Sequence, residues 1–274
     1  MTTVRSVADA LDRIRGPATT VTTYGPERDE ALHAFLERFD VELHHERLPV
    51  PADAGYLTVR RGGEYRGSVP APVFADAVDP PRGAPWSPEV RESGYGDLGT
   101  LLAGARFTSL ARPHLLATSR EIEDRAFRVG RGTLYAGFQS LSAYRAQLPV
   151  YERLVAETDL TVHVYGTADW TPPATEGVTV HTGTSGRETS GDGDAAADEP
   201  GAADELGTFW FVAFDGGDDD SMACALVAVE VGDGAYRGAW TYDPALVREF
   251  AAYLDATYGA DDLEQSSDSS EQNG

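Results

Sequence analysis

The chain has 274 residues, 45 of them acidic and 22 basic, and every basic residue is arginine. A net charge of −23 repels itself strongly in dilute buffer, whereas in molar salt the Debye length falls to about 3 Å and screens that repulsion, so the composition reads as that of a salt-adapted intracellular protein. The absence of lysine excludes a phosphate-loop lysine, a Schiff base and a kinase-type lysine, and with no clustered basic stripe a nucleic-acid-binding face is disfavoured.

Residues 1–15 read as an amphipathic helix on Val4, Val7, Leu11 and Ile14, stopped by Gly16-Pro17. A strand from Thr19 to Tyr24 follows, then a helix opened by Pro26 and running through Phe39. Val41 to Leu48 and Tyr56 to Arg60 read as strands, followed by Tyr65 to Val69. Residues 79–96 are rich in proline and glycine and read as an irregular connection. Gly96 to Gly104 reads as helical, Arg106 to Leu110 as a short strand, and Leu115 to Val129 as a helix that Thr118 or Ser119 could cap. After a strand from Thr133 to Phe138, residues 140–158 read as one long helix with Leu141, Tyr144, Leu148, Tyr151, Leu154 and Val155 on its buried face. Leu160 to Tyr165, Val178 to His181, Thr208 to Phe214, Met222 to Val231 and Ala235 to Tyr242 complete the strands, and Pro244 opens a last helix to Tyr258. Cys224 sits in an apolar run and reads as a small hydrophobe. No apolar run approaches the length of a membrane span, and no leader pattern opens the chain.

Residues 183–206 hold seven acids and one arginine, with almost no large apolar side chain, and read as a disordered insertion; the acidic tail 260–274 reads likewise. The expected organisation is a helix over 1–17, an α/β extension over 18–80, a connection over 81–96 and a larger unit over 97–259. The fold class is α+β, a mixed sheet with packed helices. Its element order echoes between the halves, with Tyr65-Arg66-Gly67 answering Tyr236-Arg237-Gly238, which suggests two related βαββ units.

Chemistry-bearing motifs are sparse. One cysteine allows no zinc spacing, His44 and His45 face opposite sides of a strand, and His163 and His181 on separate strands read as packing residues. The densest polar run is Ser119 to Arg131. On a helix, Arg120 would meet Asp124, and Glu121 would meet Arg125 and Arg128. Such a face is either solvated and laced with weak ion pairs or an arginine ledge for an anionic ligand or acidic partner. Aromatics gather at strand ends, among them Trp170 and Trp240, where a pocket would open.

The runs Ala117 to Ala126, Gly137 to Ser142, Val162 to Gly166, Asp169-Trp170, Trp210 to Val212 and Trp240 to Pro244 resemble the DICT sensory domain over about residues 97–259. The region before residue 80 resembles an extension of halophilic archaeal members. The resemblance implies an α+β sensory module on a small sheet, linked to light responses and fused elsewhere to diguanylate cyclases and two-component proteins, none of whose segments occurs here. The reading is therefore a stand-alone cytoplasmic sensory module that binds a small ligand or a signalling partner, with no nucleic acid, no membrane and no assigned cofactor. The alternatives are an adaptor for a histidine kinase or cyclase, and an enzyme built on Glu121, Glu123, Asp169 and Asp243. The expected binding residues are Arg120, Glu121, Arg125, Arg128, Gln139, Tyr165, Asp169, Trp170, Trp240 and Asp243.

Overall fold

The computed structural model describes residues 3–91, 94–182, 202–232 and 234–259. The tail 260–274 and residues 183–201 of the acidic insertion lie outside these residues. The protein is α+β, with one four-stranded and one seven-stranded mixed sheet.

The first helix, α1 (Val7–Arg13), is capped by Ser6 and leads to β1 (Thr19–Gly25). Helix α2 (Glu30–Leu36) is shorter than Pro26 suggested, because Asp29 supplies the N-cap by accepting from the Leu32 backbone N–H. Strands β2 (Glu42–Arg47), β3 (Tyr56–Arg61) and β4 (Glu64–Pro70) complete a sheet of order β2-β1-β3-β4. Its inner face buries Val21, Leu57, Val59 and Val69 beneath α2 and α3 (Phe74–Val78).

The region read as irregular contains two helices, α4 (Pro88–Arg91) and the start of α5 (Tyr95–Leu102). Proline and glycine sit at their first turns, where neither breaks a helix. Next come β5 (Arg106–Ala111) and α6 (Arg112–Val129), whose first turn holds Pro113 and whose end is Gly130 in the left-handed region at φ 73°. Thr118 and Ser119 are therefore mid-helix, not caps: Thr118 bonds back to the His114 carbonyl and Ser119 accepts from Trp210.

Strand β6 (Arg131–Ser140) leads to two helices where one was expected, α7 (Leu141–Tyr144) and α8 (Leu148–Glu157). Pro149 lacks an N–H and opposes helical geometry at the residue before it, so the helix restarts there. Strands β7 (Asp159–Thr167) and β8 (Val178–Thr182) precede the insertion, whose last residues form α9 (Ala202–Thr208) rather than disorder. Glu205 on α9 is buried and accepts from the Val7 backbone and from the hydroxyls of Tyr253 and Tyr258. Strands β9 (Phe209–Phe214), β10 (Cys224–Gly232) and β11 (Ala235–Thr241) and helix α10 (Pro244–Tyr258) complete the described residues, within two residues of the expected bounds.

The large sheet has order β5-β11-β10-β9-β6-β7-β8. Alternate residues send Leu134, Ala136, Val164, Val212 and Leu226 towards α6, α7 and α8. Their neighbours Tyr135, Tyr165, Phe211, Ala213 and Val227 pack towards α1 and α10. The two sheets share one core. Phe39, at the end of the α2 region, bridges to Phe107 on β5, and both rings pack on Trp240.

The halves repeat one topology. In the first, β1 lies parallel to β2 and antiparallel to β3, which is antiparallel to β4. In the second, β6 lies parallel to β7 and antiparallel to β9, which is antiparallel to β10. The Tyr-Arg-Gly correspondence does not follow this repeat: Tyr65 lies on β4, whose counterpart is β10, whereas Tyr236 lies on β11.

Candidate functional site

Helix α6 carries most of the polar residues singled out by the sequence, and it turns them in two directions. Arg120 is buried and pairs with Glu123 at 2.5 Å and with the side chain of Gln147; the Tyr151 hydroxyl donates to Glu123 at 2.8 Å. This buried network ties α6 to α8. Arg120 thus belongs to the core, and its expected pairing with Asp124 is replaced by an i,i+3 pair.

On the other side, α6 faces α5 across a cavity of about 430 Å³ lined by Arg91, Asp97, Thr100, Glu121, Arg125 and Arg128, with Asp124 at its wall. Asp124 is buried and accepts from Arg91 at 2.9 Å and from Arg128 at 2.6 Å. Arg128 also lies 3.9 Å from Glu121. Gly96 makes room for Glu121: a Cβ there would meet its Oε2 at 2.8 Å. Burial raises the Glu121 carboxyl above its usual range, and Arg125 and Arg128 pull it part of the way back.

Arg125 differs from its neighbours. Its guanidinium lies over the Tyr242 ring at 4.6 Å, and its buried Nε has no hydrogen-bond partner. Among the described residues no carboxylate comes within ion-pair distance of it, although Glu121 stands one helical turn away. Burial lifts the Tyr242 hydroxyl to about 12, so the ring stays neutral beneath the cation. The cavity therefore offers a guanidinium with no ion-pair partner among the described residues, beside a carboxyl whose ionisation burial disfavours.

The remaining expected residues go elsewhere. Trp240 is buried against Phe39 and Phe107 and donates to the Gly99 carbonyl at 2.8 Å. Trp170 stacks with Arg145 at 5.5 Å at the end of β7. Asp169 accepts from the Ser142 backbone and hydroxyl, which hold its carboxyl below the usual range. Asp243 caps α10. Tyr165 is buried against His181 at 4.6 Å. Gln139 has φ 62° and donates to the Thr208 carbonyl. Arg120, Arg125, Trp170 and Trp240 consequently do not form one edge, and Glu121, Glu123, Asp169 and Asp243 do not meet. The sequence pattern does not bring out Arg91, Asp97 and Thr100: Arg91 lies in the proline- and glycine-rich segment that reads as irregular, and Asp97 and Thr100 lie on a stretch that reads as helical but carries no dense polar run.

Residues 99–230 match the family model for DICT, the sensory domain in diguanylate cyclases and two-component systems. The match begins in α5 and includes all of α6, so Thr100, Glu121, Asp124, Arg125 and Arg128 fall within it. No curated protein matches the sequence. A solved structure of polyphosphate kinase from Porphyromonas gingivalis aligns at 12% identity and a TM-score of 0.36, over 92% of this chain and 48% of that one. This chain spans about half the length of that kinase, and a likeness so weak carries no argument. No helix among the described residues is long and apolar enough to cross a membrane.

Proposed function

We propose that the protein is a sensory module in which the α5–α6 cavity takes a small anionic ligand and Arg125 is the cation that meets it. The family match supports a sensory role for residues 99–230. The observation that carries the ligand reading is the Arg125 guanidinium, which lines this cavity with no carboxylate at ion-pair distance among the described residues. A planar guanidinium resting on an aromatic ring is held ready for a carboxylate or phosphate. Arg91 and Arg128 are both ion-paired to the single carboxylate of Asp124 and shape the wall.

Helix α5 provides a route to an output. Its Leu98 and Leu102 belong to the core shared by the two sheets, and its Gly99 carbonyl holds Trp240. A ligand bound between α5 and α6 would bias an element in contact with both sheets, shifting a pre-existing equilibrium. A protein partner is a second reading, tested by pull-down. It has less support, because the exposed large apolar residues among those described are Tyr65, Val78 and Val231, which stand on separate elements and form no patch.

A thermal-shift screen in molar potassium chloride tests the ligand reading. Dicarboxylates, nucleotides and chromophores bearing acid groups are compared on the wild type and on Arg125→Met. At least one is expected to raise the wild-type melting temperature and not that of the variant. Failure of the whole panel, or equal shifts in both proteins, would overturn it.

A further inference from the structure

The repeated topology places two crevices at equivalent positions, beyond the carboxyl ends of the parallel pairs β1–β2 and β6–β7. Such switch points are where sheets leave room for ligands. In the second half the position is filled: Gln139 donates to Thr208, Asp169 binds Ser142, and Gly207 of α9 lies against Thr167. In the first half it is open, with a cavity of about 610 Å³, inside the range of about 300–1,000 Å³ usual for small-molecule sites.

The walls are mostly apolar, formed by Pro26, Leu32, Ala71, Pro72 and Phe74. At the inner end lies a polar group that the sequence reading did not single out. The Thr23 hydroxyl is 2.9 Å from Nε2 of buried His33, 3.0 Å from Nδ1 of His45 and 3.3 Å from the His44 carbonyl. A hydroxyl has one proton, so at least one imidazole must donate to it. When His33 donates and Thr23 passes its proton towards His45, Nε2 of His45 carries the hydrogen. When His45 donates through Nδ1, its Nε2 is an acceptor. His45 lines the cavity, and no partner for its Nε2 is present among the described residues. This three-residue relay lets one nitrogen serve as donor or acceptor.

The charge at the rim narrows the ligand further. Glu27, Asp29 and Asp53 are exposed there with Arg28, which already lies 3.4 Å from Glu30 and 3.5 Å from Glu37. An anion gains no free cation, and the buried end offers only hydroxyl and imidazole groups. We infer that this crevice binds a small uncharged heteroaromatic molecule whose ring nitrogen hydrogen-bonds Nε2 of His45. Such rings carry donor and acceptor nitrogens at their edges and an apolar face for the walls.

The test is a titration of the full chain with benzimidazole, benzoate and benzylamine in molar potassium chloride at neutral pH. Long-range proton–nitrogen spectra report on the histidine rings, and relaxation of the probe's own signals reports on variants. Benzimidazole is expected to move the His45 Nε2 resonance along a saturating curve with Kd of about 1 mM or lower. Benzoate and benzylamine bind at least about tenfold more weakly. His45→Phe, which keeps the ring, and Ala71→Phe, which fills the cavity without touching the relay, each weaken benzimidazole by about tenfold or more. Arg125→Met leaves this binding unchanged, which separates the crevice from the α5–α6 cavity. Absence of saturation, tighter binding of either charged probe, or unaltered binding in Ala71→Phe would overturn the inference, and Ala71→Phe decides the matter if His45→Phe does not fold.

Discussion

Stacking of the Arg125 guanidinium on Tyr242 contributes about 0.5–2 kcal/mol, while leaving its buried Nε unsatisfied costs about 1–3 kcal/mol. The two nearly cancel, so a residue kept for binding has a recognisable signature here. Arg125→Met is expected to leave the melting temperature of the ligand-free protein unchanged or slightly raised; a clear fall would assign Arg125 to structure. Arg120 predicts the opposite behaviour. It and Glu123 are both buried and paired, and Glu123 also accepts from the Tyr151 hydroxyl, so Glu123→Ala strands a cation and is expected to cost about 3–5 kcal/mol by chemical denaturation. Sequence spacing could not separate these two arginines. Both sit on α6 with acids at helical distances, and what divides them is contact with Gln147 on one side and Tyr242 on the other.

Strands are legible in the sequence where burial alternates along them, as in β1, β3 and β7, or where an apolar run is continuous, as in β10, and all four fall within a residue or two of those runs. Helices were legible where an apolar stripe continued, but a stripe does not reveal a restart. Leu141, Tyr144, Leu148 and Tyr151 all face the core, yet Pro149 divides α7 from α8. Residues 79–96 hid α4, and the start of α5 ahead of the helix expected from Gly96, because prolines and glycines at first turns have the same local pattern as breakers. The Thr23–His33–His45 cluster was illegible for a different reason. Thr23 meets His45 only through the parallel register of β1 and β2, which no local pattern encodes. Asp169, expected at a binding edge, holds the first turn of α7 through Ser142. Asp169→Ala is therefore expected to lower the denaturation midpoint and to leave the binding proposed at Arg125 unchanged, as a paired denaturation and thermal-shift measurement would show.

For the whole molecule, titration and salt act on different groups. Burial holds His33 and His114 below the ordinary value of 6.5, with Arg28 and His45 adding to the effect at His33 and Arg38 at His114. His114 gives its Nε2 to the Ala77 carbonyl and has a buried Nδ1 with no partner, so a second proton has nowhere to bond. The unfolded chain takes up these protons first. Stability is expected to be level above pH 6.5 and to decline as pH falls through the depressed folded values, a loss that His33→Gln and His114→Gln should reduce. Glu121 acts in the opposite sense, its raised carboxyl favouring the fold as it protonates. The charge of −23 sets the salt response: the melting temperature should fall as potassium chloride drops from molar to about 0.1 M and the Debye length grows to about 10 Å. The central claim is that Arg125 is the cation of a ligand site, and the Arg125 Nε–H signal tests it most directly. In proton–nitrogen spectra at molar potassium chloride, succinate and a nucleoside monophosphate are titrated into the protein. The account predicts a saturating shift of the Arg125 signal with at least one of them, while Arg91 and Arg128, held by Asp124, move little. No shift with either, or equal drifts across all the arginines, would contradict it.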